Sequence, residues 1–253
     1  MLECPYLAEV QLPRRGVSFK TYPFSLAAVR QLKTLRFHPR VTFLVGENGS
    51  GKSTLLEALA IALKFNPEGG SRNLRFETRP SHSNLHEHLK LVRSIRRPRD
   101  GYFLRAESFF NVATALENLD REPSETRPLL QSYGGESLHE QSHGEAFLAL
   151  MVNRFGGQGL YLLDEPEAAL SPQRQLAMLA RIHALVQLDS QFIIATHSPI
   201  LMAYPDAWIY SFTEKGLKRV TYEETEHFLV MRDFLANPKR ILDVLMETET
   251  ESR

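Results

Sequence analysis

Short runs of unbroken apolar residues alternate along this chain with longer stretches of helical period, and each kind predicts an element. VTFLV (41–45) is β-branched, bounded by Pro39 and Gly46, and reads as a buried strand. STLLEALAIALKF (53–65) is made of helix formers and stops at Asn66-Pro67. GLYLLD (159–164) predicts a second buried strand, closed off by Pro166. PQRQLAMLARIHALVQL (172–188) is an amphipathic helix with proline in its first turn and Ser171 as N-cap. QFIIAT (191–196) and AWIYSF (207–212) add a third and a fourth strand. Strands that alternate with helices in this way predict an α/β fold with a mostly parallel sheet flanked by helices on both faces.

Residues 66–140 break that pattern and are rich in Arg, His, Ser and Pro, which predicts an inserted, partly helical lobe. The chain therefore reads as a single domain over 1–253. Its core lobe takes in about 1–65 and 156–246, and the inserted lobe about 66–155. After Gly216 come an edge strand, LKRVTY, and one or two helices over about 224–246. The tail ETETESR (247–253) is too polar to pack and is expected to fray.

Bulk composition narrows the picture mainly by exclusion. Thirty Lys and Arg balance thirty Asp and Glu, so overall charge favours neither nucleic acid nor membrane. Cys4 is the sole cysteine, which excludes an internal disulfide and a cysteine-based metal site. The N-terminal MLECPYLAEV has acids and a proline where a signal peptide has a basic start and an apolar run. No apolar stretch approaches the roughly 20 residues of a membrane span, and a soluble, cytoplasmic protein is expected.

The chemistry starts at GENGSGKS (46–53), which fits G-x-x-x-x-G-K-[ST] between a predicted strand and a predicted helix. Gly46, Gly49 and Gly51 let the backbone curl so that successive N–H groups point at phosphate oxygens. Glu47, Asn48 and Ser50 complete the loop, and Thr54 follows it on the helix. Lys52 would reach the β- and γ-phosphates, and Ser53 would offer its hydroxyl to Mg²⁺. LYLLDEP (160–166) sets two carboxylates where an apolar strand stops: Asp164 to hold Mg²⁺, Glu165 to accept a proton from attacking water. In IIATHSP (193–199), His197 ends the next strand, where an imidazole could donate to the γ-phosphate or hold the water.

GENGSGKST, YLLDEPEAALSP and ATHSP, in that order, resemble the ABC-type P-loop ATPases, most closely the soluble branch with the SMC, RecF and OLD proteins and the small bacterial AAA family ATPases. The resemblance spans about 25–70 and 135–212 and implies the P-loop NTPase fold of ABC-ATPase type, ATP as ligand and Mg²⁺ as cofactor. The family has an L-S-G-G-Q signature about twenty residues before the acidic strand end; here SHGE fills that slot. Ser142 matches the serine, Gly144 the second glycine and Glu145 the glutamine, while Gln141 and His143 depart from the pattern. By resemblance, Ser142 and Gly144 contact the γ-phosphate held by a second subunit, so that ATP joins a head-to-tail homodimer. From the residues alone, S-x-x-E is equally a helix capping box, and a capped helix start is itself an anion site.

The family further implies that EPEAALSP (165–172) touches its counterpart across the dimer, and that a glutamine senses Mg²⁺ where core and lobe join. In GYFLRAESFF (101–110) the polar residue in that place is Glu107, which would act through Mg²⁺ or water. Tyr22 and Phe24 are the candidates for stacking on adenine, and both could equally be core. His82, His86 and His88 read better as a solvated face than as a metal site. KLVRSIRRPRD (90–100) is basic enough to track a phosphate backbone, to face an acidic partner, or to be a solvated surface.

The function expected is Mg²⁺-dependent ATP hydrolysis coupled to an effector protein or a nucleic-acid process, with phage defence and DNA maintenance both open. The alternative is the nucleotide-binding subunit of an ABC membrane transporter, against which the altered signature and the missing glutamine count. About ninety residues separate the phosphate loop from SHGE, too few for the coiled-coil arms of SMC proteins. A guanine-binding N-K-x-D motif is absent, which leaves a GTPase without support.

Overall fold

The computed structural model describes residues 4–72, 82–121 and 143–250. Elements follow in the order β1 (Leu7–Gln11), α1 (Ala27–Gln31), β2 (Thr34–Arg36), β3 (Val41–Gly46), α2 (Lys52–Ala62), β4 (Gly70–Ser71), α3 (Leu85–His88), β5 (Lys90–Arg93), β6 (Asp100–Arg105) and α4 (Phe109–Arg121). The second half contributes α5 (His143–Arg154), β7 (Gly159–Asp164), α6 (Pro172–Gln187), β8 (Gln191–Ala195), α7 (Pro199–Met202), β9 (Trp208–Thr213), β10 (Gly216–Val220), α8 (Glu226–Ala236) and α9 (Pro238–Thr250).

Seven strands form one sheet in the order β10-β9-β3-β8-β7-β6-β4. The five inner strands run parallel, and β10 and β4 close the edges antiparallel. β3, β7 and β8 are buried at every position, as an unbroken apolar run requires of a strand covered on both faces. Side chains alternate between two apolar clusters, as the strand period demands. Tyr161, Leu163, Phe192 and Ile194 pack with α5 and α6 on one face. On the other, Leu160, Leu162, Ile193 and Leu44 pack with Leu55, Leu56 and Leu59 of α2. α2 is enclosed because a small antiparallel sheet, β2-β1-β5, sends Leu7, Val10 and Leu35 into the same cluster. Gln191 joins the two sheets: its side chain accepts from Leu7 N and donates to Leu7 O, both at 2.9 Å.

Two sequence expectations change. Residues 90–105 do not stand apart in an inserted lobe: β5 belongs to the small sheet, and β6 pairs in parallel with β7 over Asp100–Arg105. GYFLRAESFF already reads as a strand at the junction of core and lobe, but which sheet it and β5 join depends on partners far along the chain. The chain after Gly216 gives the expected edge strand, β10, and two helices, with a 3₁₀ turn (Tyr222–Glu224) between strand and helices and α8 capped by Thr225. α9 continues to Thr250, past the point where fraying was expected, in keeping with the helix propensity of Leu, Met and Glu.

Ser171 caps α6 as expected, its hydroxyl accepting from Arg174 N. Phe24 is core, edge-on to Phe19 and His88, whereas Tyr22 is 65% exposed with its hydroxyl 3.4 Å from Thr54 Oγ1. Among the described residues no helix is long and apolar enough to cross a membrane.

Candidate functional site

Parallel pairing sets the carboxyl ends of β3, β6, β7 and β8 along one edge of the sheet, where ligands of open α/β sheets bind. The phosphate loop leaves β3 there and enters α2. Gly46 has φ of 142°, and a Cβ on it would lie 2.5 Å from the Phe212 carbonyl oxygen of β9. Any other residue would push the loop off the neighbouring strand. Gly51 sits in the left-handed region at φ 99° and starts α2 with no side-chain cap and no acidic residue in the first turn. The first-turn N–H groups and the positive helix end are thereby left to an anion. Lys52 Nζ donates to the carbonyls of Gly46 at 2.7 Å and Glu47 at 2.9 Å, which holds the ammonium over the loop. Burial lowers its pKa, opposed by Glu165, Asp164 and Glu167.

β7 delivers Asp164 beside this loop. Ser53 Oγ donates to Asp164 Oδ1 at 2.9 Å, across 111 residues of sequence. Burial pushes the Asp164 pKa up to about 6, against the Ser53 hydrogen bond and the Arg105 charge, which lower it. A buried carboxylate and a hydroxyl side by side are two hard oxygen donors, a set that fits Mg²⁺. Glu165 then turns the chain with φ of 49°, in the left-handed region that a non-glycine residue rarely enters. Its N–H is held by the Ala195 carbonyl at 2.9 Å, so the turn is anchored to β8.

His197 leaves β8 two residues after Ala195, and its Nε2 lies 3.6 Å from Glu165 Oε1. Burial and the nearby Lys52 charge lower its pKa, with Glu165 opposing. Its backbone N–H donates to Glu167 Oε1 at 2.6 Å. A cavity of about 590 Å³ opens between the loop and α8, lined by Glu47, Asn48, His197, His227, Val230 and Met231. A second, of about 470 Å³, runs along Gly46, Glu47, Asn48, Gly49 and Ser50 on the side of β9.

The structure thus brings Lys52, Ser53, Asp164, Glu165 and His197 to one edge. Glu107 stands apart: its carboxylate is 79% exposed and pairs with Arg105 at 3.2 Å, so the guanidinium lies between it and Asp164. Gly144 lies in the first turn of α5, where a Cβ would meet the Ala169 carbonyl at 2.6 Å and Arg174 Nη1 at 2.7 Å. The turn 165–171 therefore packs directly on this helix start, and Glu145 pairs with Arg174 at 2.8 Å. Ser142 lies outside the described residues.

Four residues of the site escape sequence reasoning. Arg105 is registered directly opposite Asp164 by the β6–β7 pairing, reaches it at 3.7 Å and bonds Glu57 at 2.6 Å. It is the cation that ends the apolar run YFL, the mirror of the LYLLD signal, and could have been found that way. Glu167 lies within EPEAALSP and holds the His197 backbone. Gln175 accepts from Ser198 Oγ at 2.6 Å and donates to Leu170 O at 3.0 Å, tying the 165–171 turn to the segment after His197. His227, thirty residues from His197, carries no sequence signal.

The family model described as "AAA domain" matches residues 19–131, and a second AAA-domain model, whose description refers to AbiEii toxins and Type IV TA systems, matches residues 130–203. No curated protein matches the chain at a significant level. Among solved structures, cbiO1 from Clostridium perfringens, part of the ABC transporter complex cbiONQ, is 18% identical with a TM-score of 0.51, covering 96% of this chain and 99% of that one. The SMC head domain from Thermotoga maritima is also 18% identical, with a TM-score of 0.42 over 85% of this chain and 98% of that one. With the phosphate loop, the acidic strand end and the histidine on one sheet edge, the chain is similar to AAA-type P-loop domains over residues 19–203 and carries the fold seen in the ABC-type ATPases.

Proposed function

We propose that this protein binds and hydrolyses ATP, and does so between two copies of itself. The observation that carries the reading is the 2.9 Å bond from Ser53 to Asp164, which joins the phosphate loop to the acidic strand end with Glu165 and His197 alongside. Lys52, the loop amides and the start of α2 hold the β- and γ-phosphates. Ser53 and Asp164 would hold Mg²⁺, which when bound supplies positive charge to the phosphate oxygens. Glu165 accepts a proton from water as the water oxygen bonds to the γ-phosphorus and the bond to the β–γ bridging oxygen breaks, yielding ADP and phosphate. His197 donates from Nε2 to a γ-phosphate oxygen, and exposed Tyr22 offers its ring to adenine. Ser142 and Gly144 complete the site of the partner copy, and the 165–171 turn packed on Gly144 lets that contact reach Glu165 and His197.

Size-exclusion of Glu165→Gln, with and without ATP and Mg²⁺, tests this. A nucleotide-dependent dimer is expected, with turnover reduced on the order of a hundred-fold or more by loss of the base. A monomer under both conditions, together with intact hydrolysis in Ser142→Arg, would refute the two-copy mechanism. The cycle acts on an effector protein or nucleic acid. The second family match, with its reference to toxin–antitoxin systems, supports an effector of the defence type. Co-purification with an integral membrane protein would instead favour a transporter subunit.

A further inference from the structure

His227, in the first turn of α8, has no part in the chemistry above, yet its Nε2 stands 3.0 Å from Nδ1 of His197. Two ring nitrogens at that distance share one proton, so one ring donates and the other accepts. The far end of His197 decides which. Its Nε2 is shielded from solvent, has no hydrogen-bond partner among the described residues, and lies 3.6 Å from a Glu165 carboxylate oxygen. A bare lone pair there would face negative charge, whereas an N–H meets it favourably. The proton of His197 therefore belongs on Nε2, its Nδ1 accepts, and His227 donates. Burial lowers the pKa of both rings, with Lys52 acting in the same sense and Glu165 or Glu226 opposing, so neutral imidazoles are favoured. The first turn of α8 is itself fixed. Thr225, 2% exposed, accepts from Phe228 N at 3.3 Å, and the Phe228 ring packs 4.7 Å from that of Tyr222.

We propose that His227 is a positioning residue for His197, donating to its Nδ1 and so holding the imidazole in the Nε2–H form directed at the γ-phosphate edge. The tautomer assignment rests on geometry alone; its use in catalysis rests on the ATPase reading above. The contact of His227 is with His197, so its effect reaches the reacting atoms through the ring of His197.

The test uses the full chain labelled with ¹⁵N-histidine and free of nucleotide. Nitrogen chemical shifts are expected to show His197 protonated at Nε2 and unprotonated at Nδ1. His227→Phe shifts His197 toward a mixture of tautomers, and His227→Gln, whose amide still donates, restores the wild-type pattern. A wild-type His197 protonated at Nδ1, or a pattern indifferent to His227→Phe, overturns the proposal whether or not ATP is hydrolysed. In steady-state hydrolysis, His227→Phe lowers kcat on the order of ten-fold with KM for ATP unchanged, the scale of a lost outer-shell partner. Adding it to His197→Ala lowers kcat no further. An equal loss in both backgrounds would mark a merely structural role and also overturn the assignment.

Discussion

At the scale of the residue, the site is organised around one buried carboxylate and the cation registered beside it. Asp164 is 5% exposed at its side chain, and Arg105 reaches it at 3.7 Å while bonding Glu57 at 2.6 Å and Glu107 at 3.2 Å. Burial opposes the Arg105 charge, and the three carboxylates more than offset it, so the pKa of the guanidinium is raised. Removing the cation leaves the largely buried carboxylates of Glu57 and Asp164 without their guanidinium partner. Arg105→Met should therefore cost on the order of 3 kcal/mol, the loss expected when one partner of a buried pair is deleted. Urea unfolding reads this directly, and adding Glu57→Leu should recover part of it, because the second uncompensated charge is then gone as well. A midpoint unmoved by Arg105→Met would mean that solvent already screens the cluster. Glu107→Gln, at an exposed pair, should move stability by less than about 1 kcal/mol.

At the scale of the element, the far ends of β6 and β7 are pinned by a second charged group, away from the nucleotide edge. Asp100 accepts from Arg154 Nη1 at 2.9 Å, from the Tyr161 hydroxyl at 2.8 Å and from Gly156 N at 3.1 Å, joining β6, β7 and the end of α5. Burial raises the Asp100 pKa, but Arg154, Tyr161 and Gly156 outweigh it and hold the carboxyl below its ordinary value. The sign follows from that direction. The ionised form stabilises the fold fully above the unfolded pKa of roughly 4, and the contribution fades as pH falls through the lower folded value. Asp100→Asn should lower stability at pH 7 by about 1–3 kcal/mol, since hydrogen bonds to a charged group are lost. Thermal melts of the two proteins should converge as pH drops below about 4; a gap of constant size would show that charge is not what Asp100 contributes.

At the scale of the whole molecule, the sheet edge that carries the phosphate loop and the start of α5 belong to different parts of the chain that meet at the 165–171 turn. Gly144 packs against the Ala169 carbonyl, while Glu167 of the same turn accepts from the His197 backbone at 2.6 Å. A head-to-tail pair of copies would place each α5 start over the other's phosphate loop, so each site draws residues from two chains. Glu165→Gln and Ser142→Arg should each be nearly inactive alone. Mixed in equal amounts, they form a hybrid with one intact site, and about a quarter of wild-type turnover should return on statistical pairing. Activity that stays at the sum of the separate variants would mean each chain works by itself.

What the sequence by itself determined is local: elements and motifs whose chemistry is contiguous. The strand–glycine loop–helix unit at 41–65, the acidic end of LYLLD and the histidine of ATHSP are each written in one contiguous stretch, because a buried strand must be apolar and the loop that follows carries the polar groups of the site. Glu167 and Gln175 lay inside or beside a motif already noted, yet their contacts with the His197 segment depend on how a turn packs on a neighbouring strand. The tertiary structure alone decided the rest. It moved β5 and β6 out of the inserted lobe, since strand pairing is chosen by partners far along the chain. It separated core Phe24 from exposed Tyr22, which sequence treats alike. It also set Arg105 against Asp164 by register and His227 against His197 through a helix that begins thirty residues later. Electrostatic and tautomeric control acts through space at about 3–4 Å, and the chain places the residues that exert it wherever folding allows.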